Sequence, residues 1–306
     1  MNKAERIITV SMLQTECPPF QCCKERLTLS EHTYPPNTEM EHQQQQLLSP
    51  EGLRLDGRKP SELRRIHASI GQAGKAEGSA YLEVGNTKIH CSVFGPREAT
   101  SQSQHRKQDS SILNVELNLA TFGQAGTSGN RPRRNPKYSR KNIELCAFVR
   151  SAFESVILAS SNFSKASAGN NTNTQIDVFV QVLQSDGSLL ACIVNAVGLA
   201  LVDAGVPMQD WVSAASVSAA CSDAQVLITD ANWAEECTRI PTITLAVAQR
   251  SGEIVSCSSK GRFHIERLPE AVRVAVEASA KVHKILDGLM LSKVRESWEQ
   301  RAIVHE

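Results

Sequence analysis

The pattern of apolar and polar positions changes character near residue 48. Residues 1–48 hold Pro19, Pro35, Pro36 and a glutamine run at 43–46, with few periodic apolar positions. Such a stretch buries too little apolar surface to offset the entropy of ordering it, and it is expected to be a disordered or loosely attached extension. From Leu53 onward, periodic segments follow one another. Tyr81, Leu82 and Val84 lead into Gly85-Asn86, and Ile89, Cys91 and Val93 then alternate with Lys88, His90 and Ser92. A two-residue Gly-Asn turn between β-rich runs predicts a hairpin over 79–94. Val115, Leu117 and Leu119 alternate with Asn114, Glu116 and Asn118, which predicts a half-buried strand over 112–119. Ile143, Cys146, Val149, Phe153 and Val156 recur at helical spacing, so a helix with one apolar stripe is expected over 142–159.

A polar, low-complexity insertion at 160–174 interrupts the pattern. Ile176, Val178, Val180 and Val182 then mark a strand. The helix after it, 191–202, is apolar all round and must be buried; Gly205 and Pro207 close it. Further strands are expected at 213–219, 225–229, 242–248, 253–257 and 262–266. A closing helix over 269–298 would bury Val272, Val276, Ser279, Val282, Leu286 and Leu289. Helices that follow groups of strands, without strict alternation, imply an α+β fold with helices packed on mixed sheets. The expected organisation is a 1–48 extension and one domain over 49–300.

Composition narrows the function classes. With 306 residues, 41% of them hydrophobic, the chain can build a sizeable core, and a net charge of +1 means that any polyanion site must be a local patch. The nine cysteines show no paired metal-ligand spacing, so no metal and no cofactor is expected, and reduced thiols in an intracellular protein are the natural reading. The longest early apolar run, residues 7–13, is too short and too polar for a signal peptide core or a membrane span.

Candidate chemistry concentrates in three places. The stretch QVLQSDGSLLACIVNA, residues 181–196, runs from a strand through a polar turn into the buried helix. Unpaired N–H groups and the helix dipole make such a junction a seat for an anion. Yet it opens with Ser188, Leu189 and Leu190, and no Arg or Lys follows until Arg239. The residues alone leave two readings open: an anion cradle, or a capping turn with Asp186 or Ser188 as cap. Two basic clusters, His105-Arg106-Lys107 and Arg131, Arg133, Arg134, Lys137, Arg140 and Lys141, are either solvated faces or contacts for an anionic ligand. No aromatic residues interleave with them, so base stacking is not expected there. Asp230 and Glu236 in TDANWAEEC form an acidic pair, whose plain structural reading is a capping aspartate with solvated glutamates.

Four motifs in order carry a family resemblance. LRLDGRKPSELRRI (53–66), GSAYLEVGNTKIHCSVFGPRE (78–98), QIDVFVQVLQSDG (175–187) and ALVDAGVPMQD (200–210) resemble the signature stretches of the RNase PH family. The wording is closest to the ring subunits of the eukaryotic RNA exosome. The resemblance implies a ribosomal protein S5 domain 2-like α+β unit, six of which form a ring around a pore. Active members degrade RNA by phosphorolysis, with phosphate held by N–H groups and an arginine. Aligned on Asp186, that arginine's place falls at Leu190, while Ser188 and Leu189 take the Gly and Ser/Thr places. Asp230 and Glu236 fall where the family keeps an acidic pair, with Glu236 in place of the usual aspartate. The expectation is therefore a site with no intact catalytic residue, in a non-catalytic ring subunit. It would sit beside other RNase PH-like subunits, S1/KH-type cap subunits and a separate catalytic exoribonuclease, in nucleus, nucleolus and cytoplasm. Arg97, His105, Arg106, Lys107, Arg133 and Arg134 would line the RNA path. The alternative is an active phosphate-dependent 3′–5′ exoribonuclease whose phosphate is held by arginines from 131–141 or from a neighbour.

Overall fold

A computed structural model describes residues 48–49, 52–98, 112–120, 122, 140–157, 174–220, 226–238 and 240–304, all within the compact unit Gln45–Glu306. The expected extension before residue 48, the 160–174 insertion but for its last residue, and His105, Arg106, Lys107, Arg133 and Arg134 lie outside the described residues. In chain order the elements are β1 (Ile66–Ile70), β2 (Gly78–Val84), β3 (Thr87–Glu98), β4 (Ile112–Leu119), α1 (Arg140–Glu154), β5 (Thr174–Gln184) and α2 (Leu189–Asp203). They continue with β6 (Val212–Ala219), β7 (Leu227–Thr229), α3 (Trp233–Cys237), β8 (Thr242–Ala248), β9 (Ile254–Lys260), a 3-10 turn at Ile265–Arg267 and α4 (Leu268–Val304).

The strands form two sheets, ordered β1-β2-β3-β5-β4 and β7-β6-β8-β9. Among the described residues only β4 and β5 pair in parallel, joined through α1, and the other pairings are antiparallel. The apolar helix α2 lies between the sheets, touching β2 and β3 of one and β6 of the other, so it has no face left for water. Its Asn195 is buried but satisfied: the amide donates to Ala214 O at 3.0 Å and accepts from Ala214 N at 2.8 Å, which ties α2 to β6. Gly78 permits the close contact of β2 with the end of α2, because a Cβ there would stand 2.3 Å from Ala200 O.

Several expectations change in detail. β1 was not legible as a strand: it is the edge of its sheet, and its burial does not alternate. In α1, Ile143 is exposed, and the buried face runs through Asn142, Leu145, Val149, Ala152 and Phe153. Leu145 lies four residues before Val149, and Phe153 four after it, which is the spacing that sets a helix face; Ile143 falls off that line. The α1 helix ends at Glu154, short of the expected 159. No strand forms at 262–266, where Ile265 points outward and the chain tightens into the 3-10 turn that starts α4. Along α4, which reaches Val304, the fully covered positions are Ala271, Ala275, Ala278, Ser279, Val282 and Leu286, while Val272 and Val276 are only half-buried. Small alanines let the helix lie close on β6 and β8.

The described thiols divide by burial. Cys91 and Cys192 are buried, whereas Cys237 is exposed; burial pushes the Cys91 thiol up, and burial, with Asp230 and Glu236 nearby and against the pull of Arg64, pushes the Cys192 thiol up to about 12. A thiol reacts as its thiolate. Under native conditions at mildly alkaline pH, peptide mapping after alkylation is expected to show Cys237 modified and Cys91 and Cys192 untouched until the protein unfolds.

Candidate functional site

The end of β5, the start of α2, the β7–α3 loop and the segment at 54–64 meet at one place. Gly187 makes this possible: its φ of 79° is left-handed, and a Cβ there would stand 2.4 Å from Ala231 O. The turn is therefore pressed directly on the 231–232 backbone. Ser188 follows, also left-handed at φ 49°, and is the N-cap of α2 without a capping side-chain bond. Its hydroxyl donates instead to Ala231 O at 2.9 Å and lies 2.6 Å from the Ser216 hydroxyl on β6. Leu189 and Leu190 turn into the core and are 9% and 5% exposed. The predicted cap by Asp186 does not form either. That carboxylate accepts from Asn86 Nδ2 at 3.0 Å and from the Trp233 backbone at 3.3 Å.

The free N–H of Ser188 donates to Glu236 Oε1 at 2.7 Å. A carboxylate of the protein itself thus sits at the mouth of α2, where the N–H groups and the dipole favour negative charge. Asp230, the other half of the acidic pair, is bound by Arg64. Its carboxylate receives Arg64 Nη2 at 2.7 Å and both Arg64 Nε and the Arg64 backbone N–H at 3.0 Å. Burial works against ionisation of Asp230, but the bonds from Arg64 and that cation's charge outweigh it and hold its carboxyl below the usual range. For Arg64, burial lowers the guanidinium's pKa, but the bond and charge of Asp230 outweigh it and raise it. The same guanidinium donates to the Asp186 carbonyl, and to Gly187 O and Thr87 Oγ1 at 3.3 Å each. Arg64 therefore clamps the loop from behind, with its charge spent on Asp230.

A second buried pair lies beneath. Arg54 donates to both oxygens of Glu235, through Nε at 2.8 Å and through Nη2, and its fork also holds the carbonyls of Thr229 at 2.8 Å and Asp230 at 3.1 Å. Both side chains are fully buried. Glu235 also closes a capping box with Asn232, the actual cap of α3. The expected capping role of Asp230 is thus overturned, as is the solvated state of Glu235, while Glu236 stays partly exposed: the loop caps with Asn232, and Glu235 is inside because Arg54 neutralises it.

Five sequence-predicted residues come together here: Ser188, Leu189, Leu190, Asp230 and Glu236. Arg97 does not join them. It pairs with Asp177 at 2.7 Å near the opposite end of β5, roughly 30 Å along the strand at ordinary strand rise. Sequence reading missed the Arg54–Glu235 pair, since nothing local links residues so far apart. The Asn232–Glu235 spacing was a readable capping-box signal. No group of three or more His, Cys, Asp or Glu that could hold a metal occurs among the described residues.

The geometry defines a class: a two-sheet α+β unit with an anion-seat loop backed by an arginine clamp. Comparison with known proteins names it. The profile of the 3′ exoribonuclease family, domain 1 (RNase PH), matches residues 62–207. Exosome complex component RRP41 of Homo sapiens is 37% identical over 252 residues, covering 82% of this chain and 96% of that one, and the Bos taurus protein matches equally. The fold matches rice Rrp46 with a TM-score of 0.62 at 24% identity, over 76% of this chain and 98% of that one. It also matches an Archaeoglobus fulgidus exosome with RNA bound to the active site, at a TM-score of 0.61, 20% identity, and 76% and 92% coverage. The chain belongs to the RNase PH family.

Proposed function

We propose that this protein is a non-catalytic ring subunit of an RNA exosome core, shaping the assembly and lining the RNA path while a separate nuclease cuts. The observation that carries the reading is the seat at the head of α2. Phosphate would need the Ser188 N–H, and Glu236 already accepts it at 2.7 Å. Among the described residues, neither the Leu190 side chain, buried in the core, nor Arg64, committed to Asp230, offers a cation to an incoming phosphate that would meet the Glu236 carboxylate. One missing charge-assisted hydrogen bond weakens binding by roughly 1.5–3 kcal/mol. Loss of such support in the transition state lowers rate by about 10²–10³. The Asp230 carboxylate, the other half of the acidic pair, is occupied by three donors from Arg64.

The relatives support the assembly part of the reading, being named as exosome components. RNA would meet Arg97, which is exposed at the end of β3, together with the basic residues His105, Arg106, Lys107, Arg133 and Arg134. Partners would be RNase PH-like subunits, cap subunits and an exoribonuclease, in nucleus, nucleolus and cytoplasm. A tag on the full chain, purified gently from cells, is expected to bring down RNase PH-like partners in equal amounts. Recovery of the chain alone under conditions that keep a known ring intact contradicts the proposal.

A further inference from the structure

Next to the anion seat, the turn of the β2–β3 hairpin, the segment at 56–65 and the first turn of α3 enclose a cavity of about 360 Å³. Neither Ser188 nor Glu236 lines it. Its charged groups are mostly committed. Arg64 is locked to Asp230, and Asp186 accepts from Asn86 and from the Trp233 backbone. Arg58 pairs with Asp56 at 3.0 Å, and Asn232 Nδ2 donates to the same Asp56 oxygen at 2.8 Å.

Two groups remain uncommitted. Arg65 is exposed, and among the described residues its guanidinium has no hydrogen bond or ion pair. Trp233 leaves 39% of its surface open at the start of α3 and makes no ring contact with another described residue. A free planar guanidinium suits a phosphate, and an open indole offers a platform on which a base stacks whatever its sequence. Asn86 donates its amide to Asp186 and keeps its carbonyl oxygen as an acceptor for a base edge. The volume lies in the range of small-ligand sites.

We infer that this cavity holds one nucleotide of a single-stranded RNA, with its base on Trp233 and its phosphate on Arg65. The inference rests on the RNA-handling function proposed above and gives that function a contact outside the phosphate seat. It also supplies an aromatic surface that the two basic clusters lack.

The test measures anisotropy of a labelled, short single-stranded oligoadenylate titrated with the full chain. Arg65→Glu and Trp233→Ala are each expected to weaken binding about tenfold or more, while Trp233→Phe, which keeps a π face, stays close to the parent. Both side chains are exposed, and circular dichroism checks that the variants fold. Parent-like binding by Arg65→Glu and Trp233→Ala overturns the inference. So does loss with Arg65→Glu alone, which marks a plain electrostatic patch. Displacement of the RNA by polyglutamate of matched charge as well as by unlabelled RNA points to an acidic peptide instead, and also overturns it. The same variants carried through tagged purification separate the two proposals: under the inference they keep their ring partners. Failure of the parent to recover partners counts against the ring assignment only, and the anisotropy result stands by itself.

Discussion

Glu235→Ala is expected to destabilise the protein by about 3–5 kcal/mol, measured as a fall in ΔG of unfolding from urea denaturation. The side chain is fully buried, and its removal leaves the Arg54 guanidinium uncompensated where water cannot reach. The Asn232 capping box at α3 is lost in the same step. Arg54 would still hold the carbonyls of Thr229 and Asp230, but carbonyl oxygens do not neutralise its charge. A paired replacement, Arg54→Met with Glu235→Leu, removes both charges together and is expected to cost much less than the single change. A double variant as unstable as Glu235→Ala would show that the hydrogen bonds to the 229–230 carbonyls, and not charge balance, hold this region.

Asp230→Asn is expected to cost about 3 kcal/mol at neutral pH, because it leaves Arg64 buried without its counter-charge. Asparagine is chosen because residue 230 sits at φ 53°, a left-handed conformation that Asn tolerates as Asp does. The cost is also pH-dependent. Burial disfavours the Asp230 carboxylate, yet the bonds and charge of Arg64 prevail, so the folded-state pKa lies below the ordinary value. A group with a lowered folded pKa adds stability that is fully present above the unfolded value, about 3.9, and is lost as pH falls towards the folded one. Stability of the parent should therefore drop below about pH 4, and the gap between parent and Asp230→Asn should narrow over the same window. A constant gap down to strongly acid pH would contradict this assignment of the pair.

Much of the architecture was readable because it is periodic. The Gly85-Asn86 turn fixed the β2–β3 hairpin, alternation fixed β4 and β5, and a helix without a polar face had to be the buried α2. β1 was missed because an edge strand buries no consistent face, and α1 was turned because Ile143 looked apolar in a place that the sheet does not cover. The site was legible in membership and not in arrangement. Ser188, Leu190, Asp230 and Glu236 were all named, and all but Leu190 make polar contacts here. What local pattern could not show is which carboxylate meets which donor. Glu236 reaches the Ser188 N–H, and Asp230 binds Arg64, because three distant segments fold onto one loop. Those pairings, made by residues far apart in sequence, turn a candidate phosphate cradle into a seat filled by the protein's own carboxylate.

The central claim is that this seat no longer serves phosphate for attack on RNA. The most direct test assembles the full chain with its RNase PH-like partners, omits the separate nuclease, and supplies a labelled single-stranded RNA with inorganic phosphate. Release of nucleoside diphosphate is followed over time with and without phosphate. The structure predicts intact RNA in both cases. Phosphate-dependent release of nucleoside diphosphate that disappears with Asp230→Asn in an otherwise assembled ring would contradict it and establish a working phosphorolytic site.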